Sequence, residues 1–92
     1  MSTLKRLESV GPATLRDFAR LGIRTSEQLA SAQPEDLYAR LCELDGRRHD
    51  PCVLDLLRCA VAQARDPELP RERRRWAWWS KMRKRKAVWR PR

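Results

Sequence analysis

The most informative part of the sequence is Leu4-Lys-Arg-Leu7-Glu-Ser-Val10-Gly11-Pro-Ala-Thr-Leu15-Arg-Asp-Phe18. Its apolar residues recur at short, helix-like spacings on both sides of Gly11-Pro12, which is typical of two short amphipathic helices joined by a tight turn. Pro12 suits the first position of a helix because its φ angle is fixed and its missing N–H has no partner there. Gly22 then predicts the end of the second helix.

The rest of residues 1–70 also has the pattern of short helices separated by turns. Thr25-Ser-Glu-Gln28 has the form of a capping box. Pro34 is followed by acidic residues, which are favoured in a first helical turn. Asp50 is a suitable N-cap before Pro51. Because no alternating strand pattern is present, we predict an all-α bundle of four or five short helices.

The longest of these helices is expected to begin near Pro51 and end near Arg65, with two distinct faces. One face is apolar and predicted to face the core: Val53, Leu57, Ala60, Val61 and Ala64. The other is predicted to face solvent: Asp55, Arg58, Ala62 and Arg65.

Charge is distributed very unevenly along the 92 residues. Residues 71–92 hold eleven Lys and Arg against Glu72, a net charge of +10, whereas residues 1–70 carry a net charge of −1. The boundary at Asp66-Pro67 and Pro70 therefore predicts a helical domain over 1–70 and a basic segment over 71–92. Such asymmetry indicates a polyanionic partner, with nucleic acid first and an acidic membrane surface second.

The turn around Gly11 approximates the helix-hairpin-helix pattern, in which free backbone N–H groups at a helix N-terminus bind a phosphate oxygen. Contacts of this kind would be largely independent of base sequence. The fuller pattern has a second glycine two positions before Gly11, where this chain has Ser9. The alternative is that Gly11-Pro12 only connects two packed helices. The predicted contact residues of the turn are Lys5, Gly11, Ala13, Thr14 and Arg16.

The C-terminal segment adds basic and aromatic residues that suit the same partner, since aromatic rings stack on bases while cations follow the phosphates. Its predicted contacts are Arg73, Arg74, Arg75, Lys81, Arg83, Lys84, Arg85, Lys86 and Trp89. Two alternatives stay open. Residues 81–92 are expected to be disordered in isolation and to order on a polyanion, and the same composition also suits an anionic membrane surface.

Other kinds of site find little support in the sequence. Cys42, His49, Cys52 and Cys59 do not have the paired spacing of common zinc sites, so we expect no metal and no cofactor. The cysteines are an odd number and are expected to be reduced. Redox sensing by Cys52 is a minor alternative. Since a nucleophile with a neighbouring base is also missing, we expect no enzymatic activity.

Several segments resemble the bacterial pathogenicity locus family of short helix-hairpin-helix proteins, some of which are called mitomycin resistance proteins. The resemblance covers about residues 4–80 and is carried by residues 7–23, by Asp36-Leu-Tyr-Ala-Arg-Leu-Cys42, by residues 50–55 and by residues 76–80. The body also resembles the C-terminal domain of the competence regulator TfoX. The resemblance implies a DNA-associated helical fold and a tryptophan cluster.

That tryptophan cluster corresponds to Trp76-Ala-Trp78-Trp79, and we expect at least one of its rings to cover the small core. The first functional hypothesis is a non-catalytic, largely sequence-independent DNA-binding module. The second is a protein-interaction domain with an architectural turn and a solubilising tail. The N-terminus lacks the apolar stretch of a secretory signal, so a cytoplasmic location is expected.

Overall fold

The computed structural model describes the chain from residue 4 to residue 88, apart from the side chains of residues 5 and 86–88. These residues contain no strand, which agrees with the all-α prediction. Five α-helices are described, and one short 3-10 helix, Leu4–Arg6, precedes them. The α-helices are α1 (Pro12–Arg20), α2 (Ser26–Ala30), α3 (Pro34–Asp45), α4 (Pro51–Arg65) and α5 (Trp76–Val88). A second 3-10 helix, Arg71–Arg74, precedes α5.

The helix ends follow local signals. The predicted capping box is present, because the amide of Gln28 donates to Thr25 Oγ1 at 3.1 Å and the Gln28 side chain accepts from the amide of Thr25 at 3.2 Å. Asp50 caps α4 by accepting a hydrogen bond from the amide of Cys52 at 2.8 Å. Gly46 ends α3 in the left-handed conformation with φ 62°, which glycine adopts at little cost.

Helix α4 lies at the centre of the molecule and packs against α2, α3 and α5. Its predicted apolar face is confirmed, since Leu57, Ala60 and Val61 are buried while Val53 and Ala64 are partly buried against the core. The remaining core residues come from the first 3-10 helix, α1, the α1–α2 loop, α2 and α3. They are Leu4, Phe18, Leu21, Ile23, Leu29, Leu37 and Leu41.

The predicted solvent-facing side of α4 is wrong at Asp55, which is fully buried with 0% exposure. Helix α5 packs on α4, and its Arg83 reaches Asp55. The Nε atom of Arg83 donates to both carboxylate oxygens of Asp55, at 3.1 and 3.0 Å. The prediction treated Asp55 as if nothing packed against it, whereas the C-terminal helix supplies its countercharge.

Helix α5 extends through Val88. That residues 81–92 are disordered in isolation stays a prediction. Trp89 and residues 90–92 lie outside the described residues. Among the helices that the structure describes, none is long and apolar enough to cross a membrane.

Candidate nucleic-acid interface

The chain enters α1 through the Ser9–Gly11 turn. The described element before α1 is the 3-10 helix Leu4–Arg6. Ser9 has φ 68° and is thus in the left-handed region, although it is not glycine. Gly11 is the N-cap of α1 with extended backbone angles, φ −99° and ψ −176°. The position where the fuller hairpin pattern has its second glycine therefore does have a glycine-like conformation, which here a serine adopts.

The N-terminus of α1 carries backbone donors without an internal partner. The first helical hydrogen bond runs from the amide of Leu15 to the carbonyl of Gly11 at 3.0 Å. No side chain caps this helix, and within residues 4–88 the amides of Ala13 and Thr14 have no acceptor. Two N–H groups at the positive end of a helix dipole can bind an anion.

The side chains predicted to bind phosphate together with these amides differ in their exposure to solvent. Arg16 is exposed on α1. Thr14 is buried, with 9% exposure, so its side chain offers little surface to a ligand. The side chain of Lys5 lies outside the described residues.

The Ser9–Gly11 turn is fastened to the start of the basic segment. The hydroxyl of Ser9 donates to the carbonyl of Arg74 at 3.1 Å and accepts from the amide of Trp76 at 3.2 Å. Gln63 on α4 holds the preceding residue, because its side chain accepts from the amide of Glu8 at 2.9 Å and donates to the carbonyl of Glu8 at 2.8 Å. The predicted turn and the predicted basic segment are therefore neighbours in space.

Two of the predicted cationic contacts have structural partners instead. Arg83 is bonded to buried Asp55, and this hydrogen bonding raises the pKa of the Arg83 guanidinium. Arg74 donates to the carbonyl of Leu69 at 2.8 Å and lies 3.5 Å from the carboxylate of Glu8. Both arginines hold the C-terminal segment on the body, so their charges are already partly compensated.

Five other basic residues of the segment remain exposed and form no ion pair with the described residues. Four of them were predicted contacts, and Arg71 was missed because its 3-10 helix could not be recognised from the sequence. They are Arg71, Arg75, Lys81, Lys84 and Arg85. Exposed Arg73 is stacked on an aromatic ring, as described next. The Lys86 side chain and Trp89 lie outside the described residues.

The three tryptophans of the cluster, Trp76, Trp78 and Trp79, are not among the buried residues of the core. Trp76 is 41% exposed, and Trp78 and Trp79 are half-buried. The rings of Trp78 and Trp79 meet edge to face with centroids 5.1 Å apart. The guanidinium of Arg73 lies 5.0 Å over the Trp78 ring, and Trp79 Nε1 donates to the carbonyl of Arg73 at 2.8 Å. These contacts fix the rings against the second 3-10 helix.

The three cysteines are free thiols. Burial raises the pKa of Cys59 to about 11. The pKa of Cys52 is also raised, chiefly by its hydrogen bonding to Asp50, so the helix N-terminus does not produce a reactive thiolate there. Within the described residues, no three His, Cys, Asp or Glu side chains are grouped so that they could hold a metal ion.

Fold and site together define a small all-helical protein whose basic C-terminal helix begins near an uncapped helix N-terminus. The chain matches the Cdd1 pathogenicity locus family over residues 1–86 and belongs to it. It is 43% identical over 63 residues to the mitomycin resistance protein McrB of Streptomyces lavendulae. This match covers 68% of the chain and only 60% of that relative. No solved structure matches the chain.

Proposed function

We propose that this protein is a non-catalytic module that binds the phosphate backbone of nucleic acid, DNA in the first place. The observation that carries the proposal is the pair of unpartnered amides of Ala13 and Thr14, which lie at the positive end of α1. A phosphate oxygen would accept from both. Such a contact involves no base, so binding is expected to be independent of base sequence.

The arrangement of charge supports the same function. Ser9 links the turn to Arg74 and Trp76, so the amides of α1 lie near the start of the cationic C-terminal segment. Cations that neutralise phosphates release counterions, and the affinity should therefore fall steeply as the salt concentration rises.

The turn can be tested with a pair of variants at Gly11. No atom lies within 4 Å of a Cβ added there, and the φ of −99° suits any residue, so a side chain fits without strain. Gly11→Glu places a carboxylate beside the phosphate site, whereas Gly11→Gln has nearly the same shape without the charge. We expect Gly11→Glu to weaken duplex binding by about tenfold, equivalent to about 1.4 kcal/mol, and Gly11→Gln to weaken it much less. Fluorescence anisotropy over a salt series measures both.

A test of the exposed cations on α5 needs a control that removes the same net charge elsewhere. The triple variant Lys81→Gln, Lys84→Gln, Arg85→Gln should reduce both the affinity and the slope of its salt dependence. The control variant Arg24→Gln, Arg47→Gln, Arg48→Gln removes the same charge from exposed loop positions. If both Gly11 variants bind like the parent, the turn is architectural. If both triple variants have the same effect, the protein is only a general polycation, and a protein partner becomes the better explanation for the body.

A further inference from the structure

We propose that the groove between the second 3-10 helix and the first turn of α5 binds an unpaired nucleobase, so that the protein prefers single-stranded nucleic acid. This inference rests on the proposed function and specifies its ligand. The groove has a volume of about 390 Å³, within the range of small-molecule clefts. It is lined by Arg71, Glu72, Arg75, Ala77 and Trp78.

The aromatic wall of the groove is held in place before any ligand arrives. The guanidinium of Arg73 lies over the Trp78 ring, and the Trp79 ring meets it at an interplanar angle of 78°. The carbonyl of Arg73 accepts from Trp79 Nε1, so the residue that stacks on one tryptophan also fixes the other. A ring with a fixed orientation loses little entropy when a base stacks against it, which favours binding.

The charges of the groove suit the phosphates on either side of such a base. Arg71 and Arg75 are exposed and have no ion-pair partner in the described chain. Two other grooves formed by the described residues have no aromatic residue in their lining. The groove beside Glu8 contains Arg74, which already pairs with Glu8. The groove beside α3 contains two carboxylates, Asp36 and Glu43, against one cation, Arg40, whereas the proposed groove contains two cations against Glu72.

An unpaired base is a better occupant than a duplex because the stacking surface must be reached by a base face. In a duplex both faces of each base are covered by neighbouring bases, and exposing one costs a few kcal/mol. In a single strand the bases are free to stack on aromatic side chains while arginines follow the backbone. The groove therefore adds affinity for single strands, whereas duplex binding depends on the Ser9–Gly11 turn and on exposed Lys81 and Lys84.

The experiment compares a fluorescent oligo(dT) with a duplex of matched length, using the full chain at one fixed salt concentration. Trp78→Leu keeps an apolar side chain but removes the ring, and we expect it to weaken oligo(dT) binding by about tenfold. Trp78→Phe should retain much of the affinity. Duplex binding should change little in either variant. Circular dichroism shows whether each variant keeps the helical content of the parent.

Two variants test the groove without touching the tryptophan. Arg71→Gln with Arg75→Gln should weaken oligo(dT) binding, and Glu72→Gln should strengthen it, because the first removes cations from the groove and the second removes its carboxylate. If these substitutions acted by unfolding the protein, both would weaken oligo(dT) binding, so affinity changes in opposite directions are not explained by unfolding. Arg47→Gln with Arg48→Gln is the matched control for the double arginine variant.

The outcomes separate the two proposals. If the parent binds neither DNA, the proposed function fails. If it binds both, and Trp78→Leu and the arginine pair lower the two affinities equally, the function stands and the base-binding groove is rejected. If vesicles containing phosphatidylglycerol bind the parent more tightly than oligo(dT) does and lose that binding with Arg71→Gln and Arg75→Gln, the groove faces a membrane and the inference is overturned.

Discussion

Ser9 joins the first turn of the chain to the start of α5 while its backbone has an unfavourable conformation. Its φ of 68° costs a non-glycine residue about 1–2 kcal/mol. Two hydrogen bonds of the hydroxyl offset this conformational energy: it donates to the carbonyl of Arg74 and accepts from the amide of Trp76. A serine at this position therefore exchanges backbone strain for a long-range link that glycine could not make.

Two substitutions at Ser9 separate these effects. Ser9→Ala keeps the strain and loses both hydrogen bonds, so we expect the free energy of unfolding to fall by about 2 kcal/mol. Ser9→Gly loses the same bonds but relieves the strain, so it should be about 1 kcal/mol more stable than Ser9→Ala. Urea unfolding measures the difference. If the alanine variant is as stable as the glycine variant, the left-handed backbone at Ser9 is not a source of strain.

At the scale of elements, the pair formed by Asp55 and Arg83 holds α5 on α4. Asp55 has no exposed surface, whereas the side chain of Arg83 is 27% exposed. Removal of Arg83 leaves a buried carboxylate without a countercharge, so we expect Arg83→Met to destabilise the protein by about 3 kcal/mol. Asp55→Leu should cost less, because the arginine left behind can reach water.

The double variant Asp55→Leu, Arg83→Met completes the cycle. An apolar pair of similar volume is often as stable as a buried ion pair, so the double variant should be close to the parent and clearly more stable than Arg83→Met alone. Urea unfolding of all four proteins gives the coupling energy. Additive effects would mean that the two side chains do not depend on each other.

The elements also show which features a sequence reveals. The capping box of Thr25 and Gln28 and the N-cap Asp50 were predictable, because each signal and its partner lie within a few residues. The apolar face of α4 was predictable from its period. The burial of Asp55 was not, because it depends on Arg83, which lies 28 residues further along the chain.

The candidate interface was predictable only in part, for the same reason. Gly11-Pro12 indicates the start of α1, and the density of Lys and Arg indicates a polyanion. The contact between the turn and the basic segment depends on Ser9 and Gln63, whose partners are distant in sequence. The groove beside Trp78 depends on the second 3-10 helix, which no periodic pattern in the sequence predicts.

For the molecule as a whole, three acidic side chains link stability to pH. Hydrogen bonds from Arg20 and His49 lower the pKa of Asp45. Bonding to the amide of Cys52 lowers the pKa of Asp50, and a bond to its own backbone, followed by Arg58, lowers the pKa of Glu35. A carboxylate with a lowered folded-state pKa stabilises the protein above its unfolded-state pKa, and this stabilisation is lost as the pH falls through the folded-state pKa.

We therefore expect the free energy of unfolding to fall as the pH drops below about 4. Asp45→Asn should be less stable than the parent at neutral pH and should lose less stability on acidification. Glu43→Gln is the matched control, because Glu43 is exposed and has no ion-pair partner in the described chain. Urea midpoints between neutral and acidic pH test this, and parallel curves for parent and Asp45→Asn would contradict it.

The pairing of Asp55 with Arg83 makes α5 part of the folded unit. Truncation within α5 is therefore expected to lower the stability of the protein. A chain ending at Ser80 loses Arg83 and most of α5, so Asp55 loses its countercharge and the helix that packs beside it. At a cost of about 3 kcal/mol, its melting temperature should fall by more than about 10 °C. A chain ending at Val88 keeps the pair and should melt close to the full-length protein.

Adding Asp55→Leu to the chain that ends at Ser80 should recover part of the lost melting temperature, since the carboxylate without a countercharge is then gone. If the chain ending at Ser80 melts like the full-length protein, α5 contributes charge but no stability, and its removal would be a fair test of DNA binding. The pairing of Asp55 with Arg83 argues the opposite. Loss of binding after such a truncation would then combine lost contacts with lost folding, and only substitutions at the exposed cations separate the two.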